Sequence, residues 1–285
     1  MTEAHVCPSL HLLLFHRLLV RYANAMTHED AVRRIFGERS TFYSRSAVHK
    51  DPEVLKRIVE LTNPRPDSLA LDVATGSGHT AAALAPHVAS VVCADITPQM
   101  IREAQKISFA QGLGNMHFCL ADAHSLPFTD DAFNIVTCRR AAHHFSDIKK
   151  ALREVRRVLQ PNGILVVDDR SVPEDDFVDS CMNELDCLHD ESHVREYRPS
   201  EWRRMLEVSG FRVALVEPYF RHLPLTSLTS NVSRESTEKI HAIVEGLNDR
   251  QRKAMNVSEI EGVIHLNHWY VMLCASLRQK ESAQN

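Results

Sequence analysis

Two apolar runs near the start of the chain lead into acidic and glycine residues that could hold a nucleotide. The first run, 69–73, carries Asp72 and leads into Gly76 and Gly78. Glycine has no Cβ, so these positions can take positive φ and let a ligand lie against the backbone. The second run, 90–95, ends at Asp95, 17 residues after Gly78. An acid at that spacing can accept hydrogen bonds from the hydroxyls of an adenosine ribose.

Strands that alternate with helices must position these residues. The pattern predicts strands at 69–73, 90–95, 116–120, 133–138, 164–167, 211–217 and 269–277. It predicts helices at 31–36, 52–61 and 79–85, a helix that follows Thr97-Pro98, helices capped by Ser146 and by Ser200, and a helix near 237–247. Regular alternation requires a parallel sheet. Two late strands without a compact crossover helix favour an antiparallel pair at the sheet edge.

The fold expected from this pattern is a doubly wound α/β sheet that forms a single domain. We expect this domain to span 26–285 and residues 1–25 to form an N-terminal extension. Segments outside the alternation, at about 26–62, 174–200 and 221–267, are expected to cover the binding edge of the sheet.

Composition narrows the class of partner. The chain has 33 basic and 37 acidic residues, for a net charge of −4, without long blocks of one sign, so a nucleic-acid partner is not expected. Charged and histidine residues interrupt the apolar run at 10–20, which is also too short to span a bilayer, and no cleavage site clearly follows it. The seven cysteines include no Cys-x-x-Cys spacing, which indicates reduced thiols and a cytoplasmic protein. A small-molecule partner is favoured.

Five motifs together resemble one enzyme family. They are Leu-Asp-Val-Ala-Thr-Gly-Ser-Gly-His at 71–79, Asp95, Ala-Asp-Ala at 121–123, Leu-Pro-Phe at 126–128 and Arg-Val-Leu-Gln-Pro-Asn-Gly at 157–163. The set resembles the class I S-adenosylmethionine-dependent methyltransferases, and within them the small-molecule methyltransferases related to ubiquinone and menaquinone biosynthesis. The runs at 141–145 and 192–195 resemble one branch of that group. The resemblance covers about residues 30–220. It implies a Rossmann-like sheet of seven strands with a reversed last strand.

The resemblance also implies S-adenosyl-L-methionine as cofactor, with S-adenosyl-L-homocysteine as product. It assigns the loop around Asp72, Gly76 and Gly78 to the methionine part and Asp95 to the ribose. Ile96 and Met100 would lie beside the adenine, Asp122 would accept from its amino group, and Ala123 would supply a backbone contact. The remaining expected cofactor residues are Tyr43, Ala74 and Arg139. Ala74 stands where many members have the first glycine, and Asn134 replaces a frequent Asp.

Methyl transfer from a sulfonium is an in-line displacement, so the protein must align a nucleophile and exclude water. His143 and His144 follow the fourth strand, at the edge where ligands bind in open α/β sheets. We expect one of them to act as a base on the acceptor, although a structural role in the turn is an alternative. The predicted substrate contacts are Arg140, His193 and Arg195. The expected reaction is O- or C-methylation of a small molecule.

Other hypotheses remain open at this point. His189 and His193 have the i, i+4 spacing of helical metal ligands, but no third ligand is identifiable, so no metal site is expected. A nicotinamide-dependent oxidoreductase is disfavoured by Asp122 as a third strand-tip acid and by the reversed last strand. A non-catalytic protein that keeps the fold for binding or assembly is a further alternative, and the chain could form a homodimer.

Overall fold

The computed structural model describes residues 26–46 and 48–277, so the expected extension at 1–25 lies outside the described residues. Eight strands are present in this part of the chain. They are β1 Leu69–Val73, β2 Ser90–Asp95, β3 Met116–Leu120, β4 Phe133–Arg139, β5 Leu159–Ser171, β6 Phe211–Pro224, β7 Ser258–Ile260 and β8 Val263–Leu277.

Ten α-helices accompany these strands in the same ranges. They are α1 His28–Arg45, α2 Pro52–Thr62, α3 His79–Leu84, α4 Pro98–Ala110, α5 Ile148–Val158, α6 Asp176–His189, α7 Pro199–Val208, α8 Thr226–Thr229, α9 Arg234–Glu245 and α10 Asp249–Ala254. Short 3₁₀ turns follow α3 and β4, at Ala85–His87 and Ala142–His144. No described helix has both the length and the apolar composition needed to cross a membrane.

The sheet has the strand order β3-β2-β1-β4-β5-β8-β6, and β7 pairs with β8. The first five strands are parallel, and β8 runs antiparallel to both β5 and β6. The expected α/β fold with a reversed last strand is therefore confirmed. The late strands do form an antiparallel pair, but the last strand lies between β5 and β6, and the short β7 is additional.

Strands β5, β6 and β8 are longer than the sequence pattern predicts. The expected 164–167 becomes Leu159–Ser171, because β8 provides partners for Ile164–Ser171 and Phe133 of β4 pairs with Leu159. The expected 211–217 becomes Phe211–Pro224, since β8 also pairs with all of this edge. Apolar runs mark where strands are buried, whereas the length of a ladder depends on the neighbouring strand.

Two expected helix caps are wrong. Asp147, not Ser146, caps α5, because its carboxylate accepts from the Lys150 N–H. Helix α7 begins at Pro199 after Arg198, one residue before the expected cap Ser200. Ser200 instead donates its hydroxyl to Glu174.

Two large apolar clusters lie on different parts of the fold. The larger lies around the central strands and includes the buried Trp202, for which a core position was expected. A second cluster joins α6, α9 and the start of β8, with Met182, Ile240 and Leu266 at 0% exposure. The chain outside the βα alternation therefore has a core of its own, which holds it against the sheet.

Candidate active site

A cavity that is partly open to solvent lies at the carboxyl ends of β1, β2 and β4. Ligands in open α/β sheets bind at this edge. Helix α1 forms its roof, with His28, Glu29, Val32, Phe36 and Tyr43 in the lining. Apart from Tyr43, sequence reasoning did not find the roof residues, because one helix face cannot be assigned to a cavity without the tertiary fold.

The turn from β1 to α3 forms the floor of this cavity. Ala74 and Gly76 line it, and their φ angles are +51° and +54°. The Gly76 N–H donates to the Asp95 carboxylate at 2.8 Å. A Cβ on Gly76 would meet no protein atom within 4 Å, whereas a Cβ on Gly78 would lie 2.9 Å from the Ala104 Cβ. Gly76 therefore borders open space, and Gly78, which does not line the cavity, allows α3 to approach α4.

Replacement of these two glycines separates their roles. We expect Gly78→Ala to lower the free energy of unfolding by about 2 kcal/mol, because positive φ and overpacking act together. For Gly76→Ala only the positive φ acts, so we expect the free energy of unfolding to fall by about 1 kcal/mol. Urea denaturation of both variants measures the difference. Equal losses would show that Ala104 yields to the added methyl group.

Asp95 lies at the tip of β2 and is 6% exposed. Its two carboxylate oxygens accept from the backbone N–H groups of Gly76 and Thr97, each at 2.8 Å. Burial raises the pKa of this carboxyl to about 6, although the backbone N–H groups oppose the shift. The group is thus held in place, and each oxygen keeps a lone pair for a ligand hydroxyl.

Asp72 lies within β1 and is 1% exposed. It accepts from the hydroxyls of Thr75, at 2.6 Å, and Thr137, at 2.7 Å. Burial raises the pKa of this carboxyl. Its bonds join the glycine loop to β4, and the residue still borders the cavity.

Asp122 follows β3 and is oriented by a histidine that sequence reasoning missed. His124 Nε2 accepts from the Asp147 N–H at 3.3 Å, so its Nδ1 carries the proton and donates to Asp122 Oδ1 at 2.7 Å. The His124 backbone N–H donates to the same oxygen. Oδ2 of Asp122 is thereby left for a ligand. The Asp-x-His spacing was the available signal.

Arg139, at the end of β4, lines the cavity and has one guanidinium nitrogen without a protein partner. Its Nε donates to Thr80 and its Nη2 to the His49 carbonyl, at 2.8 and 2.7 Å. Nη1 is buried and has no partner, and the same is true of the neighbouring His79 Nε2. No described carboxylate forms an ion pair with Arg139, although Arg139 and its partners Thr80 and His49 line the cavity.

Arg140 is the next residue, and its side chain is already satisfied. It bonds Asp168 at 3.0 Å and the Tyr219 hydroxyl at 3.0 Å, and its guanidinium lies 3.7 Å from the centre of the Tyr270 ring. Its φ is +54°, a strained value for a residue with a side chain. Arg140 therefore borders the cavity, but its guanidinium is held by contacts with β5, β6 and β8.

The other expected cofactor residues Ile96, Met100 and Ala123 also line the cavity, as do Tyr43 and His144. Burial raises the pKa of Tyr43 to about 12, so its hydroxyl stays protonated. His143, His193 and Arg195 are not in the lining.

The two expected substrate residues outside the cavity have protein partners. His193 bonds Asn183 at 3.1 Å and lies beyond the end of α6, so it does not share a helix face with His189. Arg195 forms a bidentate pair with Asp179 and contacts Glu201. These bonds tie the segment after α6 to α6 and α7.

Comparisons with known proteins identify the family. Residues 71–167 match a family model described as a methyltransferase domain. The chain is 40% identical over 174 residues to the uncharacterized methyltransferase YcgJ of Bacillus subtilis. The matched region covers 61% of this chain and 69% of that protein. The chain belongs to the class I S-adenosylmethionine-dependent methyltransferases.

One solved structure and one further relative of this methyltransferase are informative. The crystal structure of YcgJ superimposes with a TM-score of 0.74 at 30% identity, and the match covers 80% of this chain and 99% of that one. The demethylmenaquinone methyltransferase of Thermus thermophilus is 42% identical over 114 residues, which are 39% of this chain and 51% of that enzyme. The chain thus spans only about half the length of this named quinone methyltransferase. Membership in the family removes the oxidoreductase hypothesis.

Proposed function

We propose that this methyltransferase binds S-adenosyl-L-methionine in the cavity and transfers its methyl group to oxygen or carbon of a small molecule. The observation that carries the proposal is the convergence of Asp95, Asp122 and the open Gly76 turn on one cavity roofed by a helix. A bound cofactor supplies an electrophilic methyl group. The chain's own part is to bind, align and exclude water.

The polar groups of the cavity match the parts of this cofactor. Asp95 keeps lone pairs for the ribose hydroxyls, and Asp122 Oδ2 is free to accept from the adenine amino group. Ile96 and Met100 offer an apolar surface beside them. Nη1 of Arg139 has no hydrogen-bond acceptor in the protein. The carboxylate of the cofactor's methionine part is the anionic group that would accept a bond from it.

Replacement of Arg139 tests this placement. We expect Arg139→Met to weaken binding of S-adenosyl-L-homocysteine by about 10- to 30-fold, because a buried charge-assisted bond is lost. Isothermal titration calorimetry gives the affinity. Arg212→Met, which removes an exposed arginine on β6, is the control and should bind as the wild type does. Unchanged affinity in Arg139→Met would place the carboxylate elsewhere.

The acceptor side of the cavity is apolar and aromatic. The lining includes Val32, Phe36 and Phe145. His144 directly precedes Phe145, and its ring is in edge contact with the Phe36 ring. Such walls suit a flat, largely apolar acceptor. The demethylmenaquinone methyltransferase relative supports methylation of a ring carbon, and we propose a small aromatic or quinol-like acceptor for this chain.

Two binding and transfer experiments test the function. The protein should bind S-adenosyl-L-homocysteine in calorimetry and should not bind NADH. Incubation with methyl-labelled cofactor and a fractionated small-molecule extract should then label a low-mass product. If S-adenosyl-L-homocysteine does not bind, a protein that keeps the fold for assembly is favoured. If the methyl label appears only in protein or nucleic acid, a small-molecule acceptor is excluded.

A further inference from the structure

The imidazole of His144 is held in one tautomer by the segment that follows α6. Its Nδ1 lies 3.0 Å from the carbonyl oxygen of Ser192. A carbonyl oxygen only accepts, so Nδ1 must carry the proton. The Ser192 hydroxyl, 3.1 Å from the same nitrogen, donates to Asp190 at 2.6 Å and therefore presents only its oxygen to the ring. Nε2 of a neutral His144 is thus left with its lone pair.

This lone pair has no protein donor among the described residues. No hydrogen bond is formed by His144 Nε2 there, and the atom is not one of the buried unpartnered atoms of the described chain. The ring itself lines the cavity. Since Nδ1 points to Ser192, Nε2 is the ring nitrogen available to a ligand in the cavity.

His143 forms different hydrogen bonds from His144, and these bonds hold the turn in place. Its backbone N–H and its Nδ1 both donate to Asp169, at 2.9 and 2.6 Å. Its carbonyl accepts from the N–H groups of Val194 and Arg195. His143 therefore ties the tip of β5 and the segment after α6 to the turn that carries His144, and it does not line the cavity.

The surroundings keep His144 neutral before reaction. Burial lowers the pKa of this imidazole to about 3, and the adjacent His143 ring, 4.0 Å away, acts in the same direction. Asp190 opposes the shift, and Arg39 lies 3.5 Å from that carboxylate. The other groups that face His144 are His193, from the segment after α6, and His28 of α1, whose Nε2 lies 2.8 Å from the His144 carbonyl.

We propose that His144 Nε2 accepts the proton of a weakly acidic hydroxyl, of the phenol or enol class, on the methyl acceptor. The proposal rests on the proposed function and names the group that removes the proton. His144 is the catalytic residue, and His143 and Ser192 are positioning residues for it. A phenol or enol ring would lie against Phe36, whose ring contacts His144, and Phe145, which also lines the cavity.

The step balances in atoms and in charge. The acceptor O–H bond breaks, its electron pair makes oxygen or the conjugated carbon nucleophilic, and the proton moves to Nε2. The nucleophile forms a bond to the methyl carbon, and the electron pair of the S–C bond stays on sulfur. The burial that keeps the imidazole neutral also opposes the imidazolium, so the proton moves as the methyl group transfers. One positive charge then leaves the sulfonium as another forms on the imidazolium, and the buried cavity never gains a net charge. Asp190, near His144, favours the imidazolium.

Binding of 4-nitrophenol to the protein saturated with S-adenosyl-L-homocysteine tests the inference. A lone pair at Nε2 accepts a bond from the protonated phenol but not from the phenolate. We therefore expect the affinity of wild-type protein to fall about tenfold per pH unit above the probe's own pKa. His144→Gln offers an amide that both donates and accepts, so its affinity should be lower for the phenol and nearly independent of pH.

The test includes one control variant and two results that would contradict the inference. His117→Gln, which removes an exposed imidazole on β3, should keep the pH trend of the wild type. Tighter binding of the phenolate by wild type would show that Nε2 carries the proton, and failure to bind 4-nitrophenol would exclude the acceptor class; either overturns the inference. Binding of S-adenosyl-L-homocysteine, measured first on each variant, reports the proposed function and correct folding separately.

Discussion

Asp95→Asn is expected to weaken binding of S-adenosyl-L-homocysteine by about 2–3 kcal/mol, or about 30- to 150-fold. The two carboxylate oxygens accept from the N–H groups of Gly76 and Thr97 and keep lone pairs that face the cavity. An amide replaces one acceptor by a donor. Its NH₂ group would then oppose a backbone N–H and could not accept a bond from a ribose hydroxyl.

Calorimetry at pH 7.5, above the pKa of about 6 that burial gives Asp95, measures the effect on the ionised carboxylate. Asp131→Asn is the matched control, because Asp131 is an exposed acid before β4, at the opposite edge of the sheet from the cavity. An affinity of Asp95→Asn within about threefold of wild type would contradict the assignment of this residue to the ribose.

Stability is expected to fall steeply as the pH drops from about 6.5 to about 4. Five buried or half-buried histidines of the described residues have lowered pKa values, in each case chiefly because burial disfavours the imidazolium. They are His49, His144 and His268, with pKa values of about 3, and His79 and His193, with values of about 4. In the unfolded chain these groups take up protons near pH 6.5, whereas in the folded protein they stay neutral.

The unfolded state therefore binds more protons throughout this window, so the free energy of unfolding falls with the pH. Each histidine contributes at most about 1.4 kcal/mol per pH unit, and together they amount to several kcal/mol. Urea denaturation at pH 7 and pH 5.5 measures the loss. His79→Gln should reduce the slope, since its Nε2 has no partner to lose, and His117→Gln, which removes an exposed imidazole, should not. Equal stability at both pH values would contradict the burial of these rings as neutral groups.

The sequence alone determined the elements that carry the strand-tip acids. Strands β1, β2 and β3 match the predicted bounds residue for residue, because each is a short apolar run with its own turn or cap signals. Asp72, Asp95 and Asp122 follow from these bounds, since the carboxyl ends of parallel strands meet at one edge. The alternation of strands and helices likewise determined the parallel part of the sheet.

Tertiary structure decided what no local pattern contains. The place of β8 between β5 and β6, and the full length of these strands, depend on pairing of residues 98 to 112 apart in β5 and β8 and 41 to 66 apart in β6 and β8. The roof formed by α1, the Asp147 N–H bond that fixes the His124 tautomer and the unpartnered Arg139 Nη1 arise from packing of segments that are apart in sequence. The adjacent His143 and His144 have the same residue type and the same predicted edge. Only the carbonyl of Ser192 and the carboxylate of Asp169, contributed by other elements, direct one ring to the cavity and the other to the turn, because a ring nitrogen's role is set by the partner of the opposite nitrogen.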